Sequence, residues 1–176
     1  MGVKIYITGR PGIGKSTVVL KVIDKLRKNN VKIGGIICPE VRGLHGGRIG
    51  FKIMDILTGK SGWLAHKHMF REGPQIGRYV VNVNDAVSIG VTALRNALNN
   101  ADVIVIDEVG PMELSVHELK NEILNTLSNG VNVLAVVHYR LRDPAILKIL
   151  RMYRKYEVTV YNRNSLPNII AREILS

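Results

Sequence analysis

Apolar positions along this chain fall into two rhythms that take turns. Val3-Lys4-Ile5-Tyr6-Ile7 is a short β-prone run, whereas Val18, Val19, Val22, Ile23 and Leu26 recur at the spacing of one helical face, which Asn29-Asn30 then closes. Continuous β-branched runs at 31–38, 101–107, 131–137 and 158–161 read as parallel strands buried on both faces, the first of them stopped by Pro39. Between these runs the helical period returns at 85–98, 116–127, 144–152 and 167–175. Ser115 with Glu118 three residues on predicts a capping box for the second of these helices, and Asp143-Pro144 predicts an N-cap and a first-turn proline for the third. Alternating strand and helix predict one α/β domain over 1–176 with a mainly parallel central sheet. Residues 42–83 break the rhythm. They are rich in glycine, Ile49, Phe51 and Ile53 alternate onto one face, and Thr58-Gly59-Lys60-Ser61-Gly62 reads as a turn before Trp63-Leu64-Ala65, so an antiparallel β insertion is expected there.

The segment between the first strand and the first helix carries chemistry. Gly9-Arg10-Pro11-Gly12-Ile13-Gly14-Lys15-Ser16-Thr17 matches G-x-x-x-x-G-K-[ST]. A loop that wraps a polyphosphate must turn its N–H groups inward, and Gly9, Gly12 and Gly14 supply the backbone freedom and close approach this needs. Lys15 reaches the β/γ-phosphates, Ser16 offers a hydroxyl to Mg²⁺, and the helix that starts here aims its free N–H groups at the same anion. Residues 9–17 are therefore the expected nucleotide-binding set.

Charge and cysteine count narrow the setting. A lone cysteine, Cys38, allows no intramolecular disulfide and no C-x-x-C knuckle, so a reducing, cytoplasmic location is expected. The first strand leads at once into the phosphate loop, which argues against a signal peptide, and no apolar run approaches a membrane span. The 25 basic against 14 acidic residues, formal net charge +11, fit a nucleic-acid partner, an anionic small substrate or a basic solvated surface. The densest basic stretch, 140–155, lacks interleaved aromatic platforms, so nucleic acid is a possible partner but not the favoured one.

A phosphate loop needs a partner strand ending in an acid, and Val103-Ile104-Val105-Ile106-Asp107-Glu108 is that strand. Asp107 is the expected Mg²⁺ acid, and Glu108 can orient or deprotonate the water that attacks the γ-phosphate. Asp107-Glu108-Val109-Gly110 also fits the D-x-x-G switch of GTPases, but no N-K-x-D follows, so little preference for guanine is expected. His66 and His68, without a third ligand in view, read as surface residues, and Trp63 as packing.

Taken together, the phosphate loop, Gly34-Gly35 with Pro39-Glu40-Val41-Arg42, Gly50-Phe51, Gly77-Arg78-Tyr79, Ile106 to Leu114 and the short Asn162-Arg163-Asn164 segment resemble the nucleoside-triphosphatases of the thermophile type, a family to which the human cancer-related nucleoside-triphosphatase is similar. The resemblance runs nearly end to end. It implies a P-loop fold of the additional-strand (RecA-like) class with helices on both faces, Mg²⁺-dependent hydrolysis of several nucleoside triphosphates to diphosphate and phosphate, and a nucleotide contact from Asn162. In that class a strand lies between the phosphate-loop strand and the acid-bearing strand, and 131–137 would fill it. His138 and Arg140 at its end are then sensors of phosphate state, or else a satisfied histidine and a surface arginine. Glu113 either reaches metal or water or simply complements a helix dipole. Arg10, Arg42 and Arg78 fall in hallmark segments, where each is a phosphate clamp or a surface residue.

The expectation is thus a monomeric nucleoside-triphosphatase without a membrane partner, with Lys15, Glu108, Glu113, His138 and Arg140 as its candidate catalytic residues. A small P-loop kinase, with the β insertion as an acceptor-binding lid, and a nucleotide-dependent nucleic-acid-binding protein are its rivals.

Overall fold

The computed structural model describes residues 1–176. Its strands are β1 (Lys4–Thr8), β2 (Ile33–Ile37), β3 (Glu40–Arg42), β4 (Arg48–Asp55), β5 (Ser61–His66), β6 (Gln75–Ile76), β7 (Tyr79–Val81), β8 (Val103–Val109), β9 (Asn132–Val137) and β10 (Arg154–Glu157). Its helices are α1 (Lys15–Lys28), α2 (Val83–Asp85), a π-helical stretch (Ala86–Val91) that runs on into α3 (Thr92–Asn100), α4 (Pro111–Leu114), α5 (His117–Ser128), α6 (Pro144–Leu150) and α7 (Leu166–Leu175). All ten strands join one sheet. In the order β10-β1-β9-β8-β2 neighbours are parallel, and from β2 onward the sheet continues through β4-β5-β7-β6 in antiparallel pairs, with β3 beside β4. The additional strand expected between the phosphate-loop strand and the acid-bearing strand is β9, hydrogen-bonded to β1 on one side and β8 on the other.

Strand periodicity of two sorts the apolar side chains onto the two faces. On β8, Val103 and Val105 pack with α1 and α7 through Val18, Val22 and Ile170, whereas Ile104 and Ile106 pack on the opposite face against Leu94, Leu119 and Ile123 from α3 and α5. Each core is thus built by one parity of every central strand. That is why the β-branched runs carried no polar alternation.

β2 joins the two halves of the sheet, and Gly35 makes this possible. Its φ is +111°, and a Cβ there would lie 1.9 Å from the Val105 carbonyl oxygen on β8. Gly35→Ala is expected to lower stability by at least about 3 kcal/mol, combining left-handed backbone strain with overpacking against a backbone that cannot give. For a chain of this size that is a fall in Tm of roughly 6–12 °C, readable by calorimetry; a Tm within a degree or two of the parent would show the close approach to be slack.

Three sequence expectations are corrected. The run 158–161 is not a strand: β10 is the charged segment before it, an edge strand with only one neighbour, β1. Val158 is buried as its end plug, but Val160 and Tyr161 are 55% and 95% exposed. The capping box does not form, because Ser115 ends α4 and its hydroxyl donates to the Met112 carbonyl, which leaves α5 without a side-chain cap. The helix from Pro144 stops at Leu150, and Met152 is exposed. The Asp143 cap is as expected, its carboxylate accepting from the N–H groups of Ala145 and Ile146. The insertion is antiparallel as expected, spanning β3 to β7. No helix is long and apolar enough to cross a membrane.

Candidate active site

The site opens at the carboxyl ends of the parallel strands. After β1, residues 9–14 wrap into a loop, and α1 begins at Lys15 behind Gly14, whose backbone is left-handed at φ 110°. This helix has no side-chain cap and no acid in its first turn, so its leading N–H groups and positive dipole end remain directed at an anion. Lys15 arches over the loop, its Nζ donating to the carbonyls of Gly9 at 2.8 Å and Arg10 at 3.0 Å. That ammonium is thereby poised above the anion cradle. On the loop's other flank Arg163 Nη1 reaches the Ile13 carbonyl at 3.4 Å.

Two strands away, β8 ends in acids. Asp107 is buried; burial, reinforced by the charge of Glu108, pushes its carboxyl up to about 6 against the opposing influence of the Ser16 hydroxyl and the Lys15 charge. Glu108 is raised above the usual carboxylate range by burial and pulled back by Lys15. Gly110 sits between Glu108 and Glu113: a Cβ there would be 2.7 Å from Glu108 Oε1 and 3.2 Å from Glu113 Oε2. Glu113 itself is buried and pushed up to about 8, first by burial and then by the Glu108 charge. Nearby on the same cleft wall is Cys38, whose thiol is held far above its ordinary value by burial and by the neighbouring acids.

The additional strand brings its own group. His138 accepts at Nδ1 from the Arg140 N–H, and burial, Lys15 and Arg140 lower its pKa, which keeps the imidazole neutral. Arg140 lies off the cleft, its guanidinium 5.0 Å from the centre of the Tyr139 ring. Asn162 is turned into its own loop, accepting from the Thr159 N–H and donating to the Glu157 carbonyl. The structure therefore gathers Lys15, Ser16, Asp107, Glu108, Glu113 and His138 around one cleft of about 640 Å³ and leaves Arg10, Arg78, Arg140 and the Asn162 amide outside its wall. Glu40, Arg42, Arg48, Phe51 and Ile76 from the β insertion form the far wall. Arg48 and Ile76 carried no sequence signal, because only the pairing of β3 with β4 and of β6 with β7 turns them toward the cleft. His66, read as a surface residue, closes the turn after β5, its Nδ1 accepting from the N–H groups of His68 and Met69.

The residues present suit a hard divalent cation. Ser16 and Asp107, a hydroxyl and a carboxylate lining the same cleft, are oxygen donors, and Mg²⁺ is commonly held by one or two such protein groups together with substrate phosphates.

Comparison with known proteins agrees with this geometry. A family model described as NTPase matches residues 4–171. The chain is 44% identical over 173 residues to the nucleoside-triphosphatase THEP1 of Thermofilum pendens, covering 97% of this chain and 94% of that protein, and 42% identical to the THEP1 of Methanosarcina acetivorans, covering 98% and 97%. In three dimensions it is similar to the crystal structure of THEP1 from Aquifex aeolicus (TM-score 0.86, 30% identity, 99% of this chain and 100% of that one). It is also similar to the solution structure of a human cancer-related nucleoside triphosphatase (TM-score 0.79, 31% identity, 99% of each). A phosphate loop facing an acid-tipped β8 across an additional strand, with relatives matched almost end to end, leaves one conclusion: the chain belongs to the NTPase family, the P-loop nucleoside-triphosphatases.

Proposed function

We propose that the protein hydrolyses the terminal phosphate of nucleoside 5′-triphosphates, ATP and GTP alike, yielding diphosphate and phosphate with Mg²⁺ as its metal. The observation that carries the reading is Glu108, a partly buried carboxylate at the tip of β8 beside Asp107 and within the field of Lys15. The loop amides and the N-terminus of α1 bind the β- and γ-phosphates, and Lys15 neutralises charge that builds on the β–γ bridging oxygen as its bond to phosphorus breaks. Ser16 and Asp107 would hold Mg²⁺, which when bound withdraws charge from the phosphate oxygens. Glu108 orients the attacking water and takes its proton, and its upward-shifted pKa makes it a better acceptor than an exposed carboxylate. Glu113, buried beside Glu108, forms the floor of the cleft there. Neutral His138, at the end of β9, can donate or accept at the γ-phosphate without adding charge.

Relaxed base choice would follow if the nucleoside lies toward the loop at 158–165, which flanks the phosphate loop through Arg163. It offers exposed Val160 and Tyr161 but no carboxylate to pair with a guanine edge. Specificity constants for ATP and GTP are therefore expected within about tenfold, roughly 1.4 kcal/mol of differential binding. The test is phosphate release from each common nucleoside triphosphate with Mg²⁺, with and without added nucleic acid. Release with no acceptor and no nucleic acid supports the hydrolase, whereas a preference beyond a hundredfold for one base would reveal a dedicated base pocket.

A further inference from the structure

The cleft extends past the place where the γ-phosphate must lie. Across the carboxyl edge of the sheet the order is β10, β1, β9, β8, β2, β4. With the triphosphate on the loop after β1 and its terminal phosphate toward the acids of β8, as in the proposed function, its nucleoside would run the other way, toward β10, where Arg163 flanks the loop. The walls beyond β8, supplied by Cys38 and Pro39 after β2 and by the β3–β4 hairpin, therefore face the γ-phosphate from the side opposite the nucleoside. Hydrolysis needs only a water there.

What lines that region has a definite chemistry. Arg42 and Arg48 converge on the single carboxylate of Glu40, Arg42 Nη2 at 2.9 Å from Oε1 and Arg48 Nη2 at 2.7 Å from Oε2. Two guanidinium groups against one carboxylate leave a surplus positive charge. Arg42 Nη1 is bound to the Gly46 carbonyl at 2.9 Å, while Arg48 keeps Nη1 free. The same Arg48 lies over Phe51, 5.4 Å from the ring centre, and Phe51 packs edge-on to Tyr79 with centroids 5.3 Å apart. Ile76 adds apolar area beside them. A guanidinium with a free nitrogen next to a half-buried aromatic ring and an aliphatic wall fits a ligand that carries a phosphate and a flat apolar body.

We propose that this far wall is an acceptor site for a nucleoside 5′-monophosphate, and that the protein transfers the γ-phosphoryl group to it as well as to water. The inference rests on the triphosphatase reading of the same site. In the transfer, an oxygen of the monophosphate forms the new bond to the γ-phosphorus, and the bond from that phosphorus to the β–γ bridging oxygen breaks, its electron pair staying on the departing diphosphate. One triphosphate and one monophosphate become two diphosphates, and no redox partner is required. The monophosphate dianion brings no proton to be removed. Glu108 is therefore needed for the water reaction and dispensable for the transfer.

The test uses the full-length protein with Mg²⁺, ATP labelled at the γ-phosphate and unlabelled GMP, CMP, UMP or AMP, with labelled diphosphate and labelled free phosphate measured together. Labelled diphosphate that saturates with monophosphate concentration is expected. Arg48→Gln and Phe51→Ala, each checked for a native circular dichroism spectrum, are expected to lower the ratio of labelled diphosphate to free phosphate by about tenfold or more, through a raised KM for the monophosphate. Glu108→Gln is expected to raise that ratio, because it slows only the water reaction. Label in free phosphate alone, at every monophosphate concentration, overturns the acceptor site while leaving the hydrolase standing. An equal loss of both products in Arg48→Gln and Phe51→Ala would assign the wall to the triphosphate and overturn the proposal too. Absence of both products in the parent protein removes the triphosphatase reading and this inference with it.

Discussion

Lys15→Ala is expected to reduce turnover by about 10²–10³-fold, the range found when one preorganised donor to a developing negative charge is removed. The ammonium lies over the phosphate loop, held 2.8 Å and 3.0 Å from two of its carbonyls, and no other cation occupies that position. It is also the charge that pulls the Asp107 and Glu108 carboxyls down against their burial. Its removal lets both rise further, so the variant loses a phosphate contact and weakens its acids in one step. Triphosphate affinity falls as well, by about tenfold or more for a lost charge-assisted hydrogen bond. Lys15 contributes nothing to either apolar core, so the thermal transition should stay near the parent's. The measurement is steady-state phosphate release beside a titration of triphosphate binding. Parental turnover would place the chemistry somewhere other than this cleft.

Glu108→Gln is expected to slow hydrolysis by 10²–10⁴-fold, the usual span for loss of a general base. Glutamine keeps the shape and half of the hydrogen bonding, so binding, which depends on the loop amides and Lys15, should change little and uncleaved triphosphate should accumulate on the protein. Rapid filtration of bound, unhydrolysed nucleotide reads this directly. Equal falls in affinity and rate would reassign Glu108 to the metal or to structure. Undiminished rate would transfer the role to Glu113 or His138, which line the same cleft.

The parallel half of the fold was readable because burial on both faces imposes uninterrupted apolar runs, and because a phosphate loop and an acid-tipped strand are local signatures. Val103 to Glu108 illustrates this: every residue has its place from hydrophobicity and terminal charge alone. The same rule misled at 158–161, where a run apolar enough for a core strand belongs to an exposed loop and the true edge strand is charged. Edge strands have a free side in water and commonly carry charge, so a rule built on apolar runs passes over them. Within the site, Lys15, Ser16 and Asp107 followed from spacing. The far wall did not: Arg48 and Ile76 come to the cleft through antiparallel pairings whose register no local pattern encodes. The upward shift of Glu113 was hidden for the same reason, since it depends first on burial in the folded cleft and then on the charge of Glu108. Asn162 illustrates the converse. Its side chain serves its own loop, and the neighbouring Arg163 makes the contact with the phosphate loop.

β2 hydrogen-bonds to β8 on one side and to β4 on the other, so no hinge separates the acids of the cleft from its far wall. The cleft behaves as a fixed-jaw vice. Its gap at the base is two strand spacings, about 10 Å, set by backbone hydrogen bonds rather than by a closing motion. Under the proposed transfer, selection between water and a larger acceptor would be a matter of gauge, and a change in strand spacing at Gly35, where β2 meets β8, would alter it without touching either ligand.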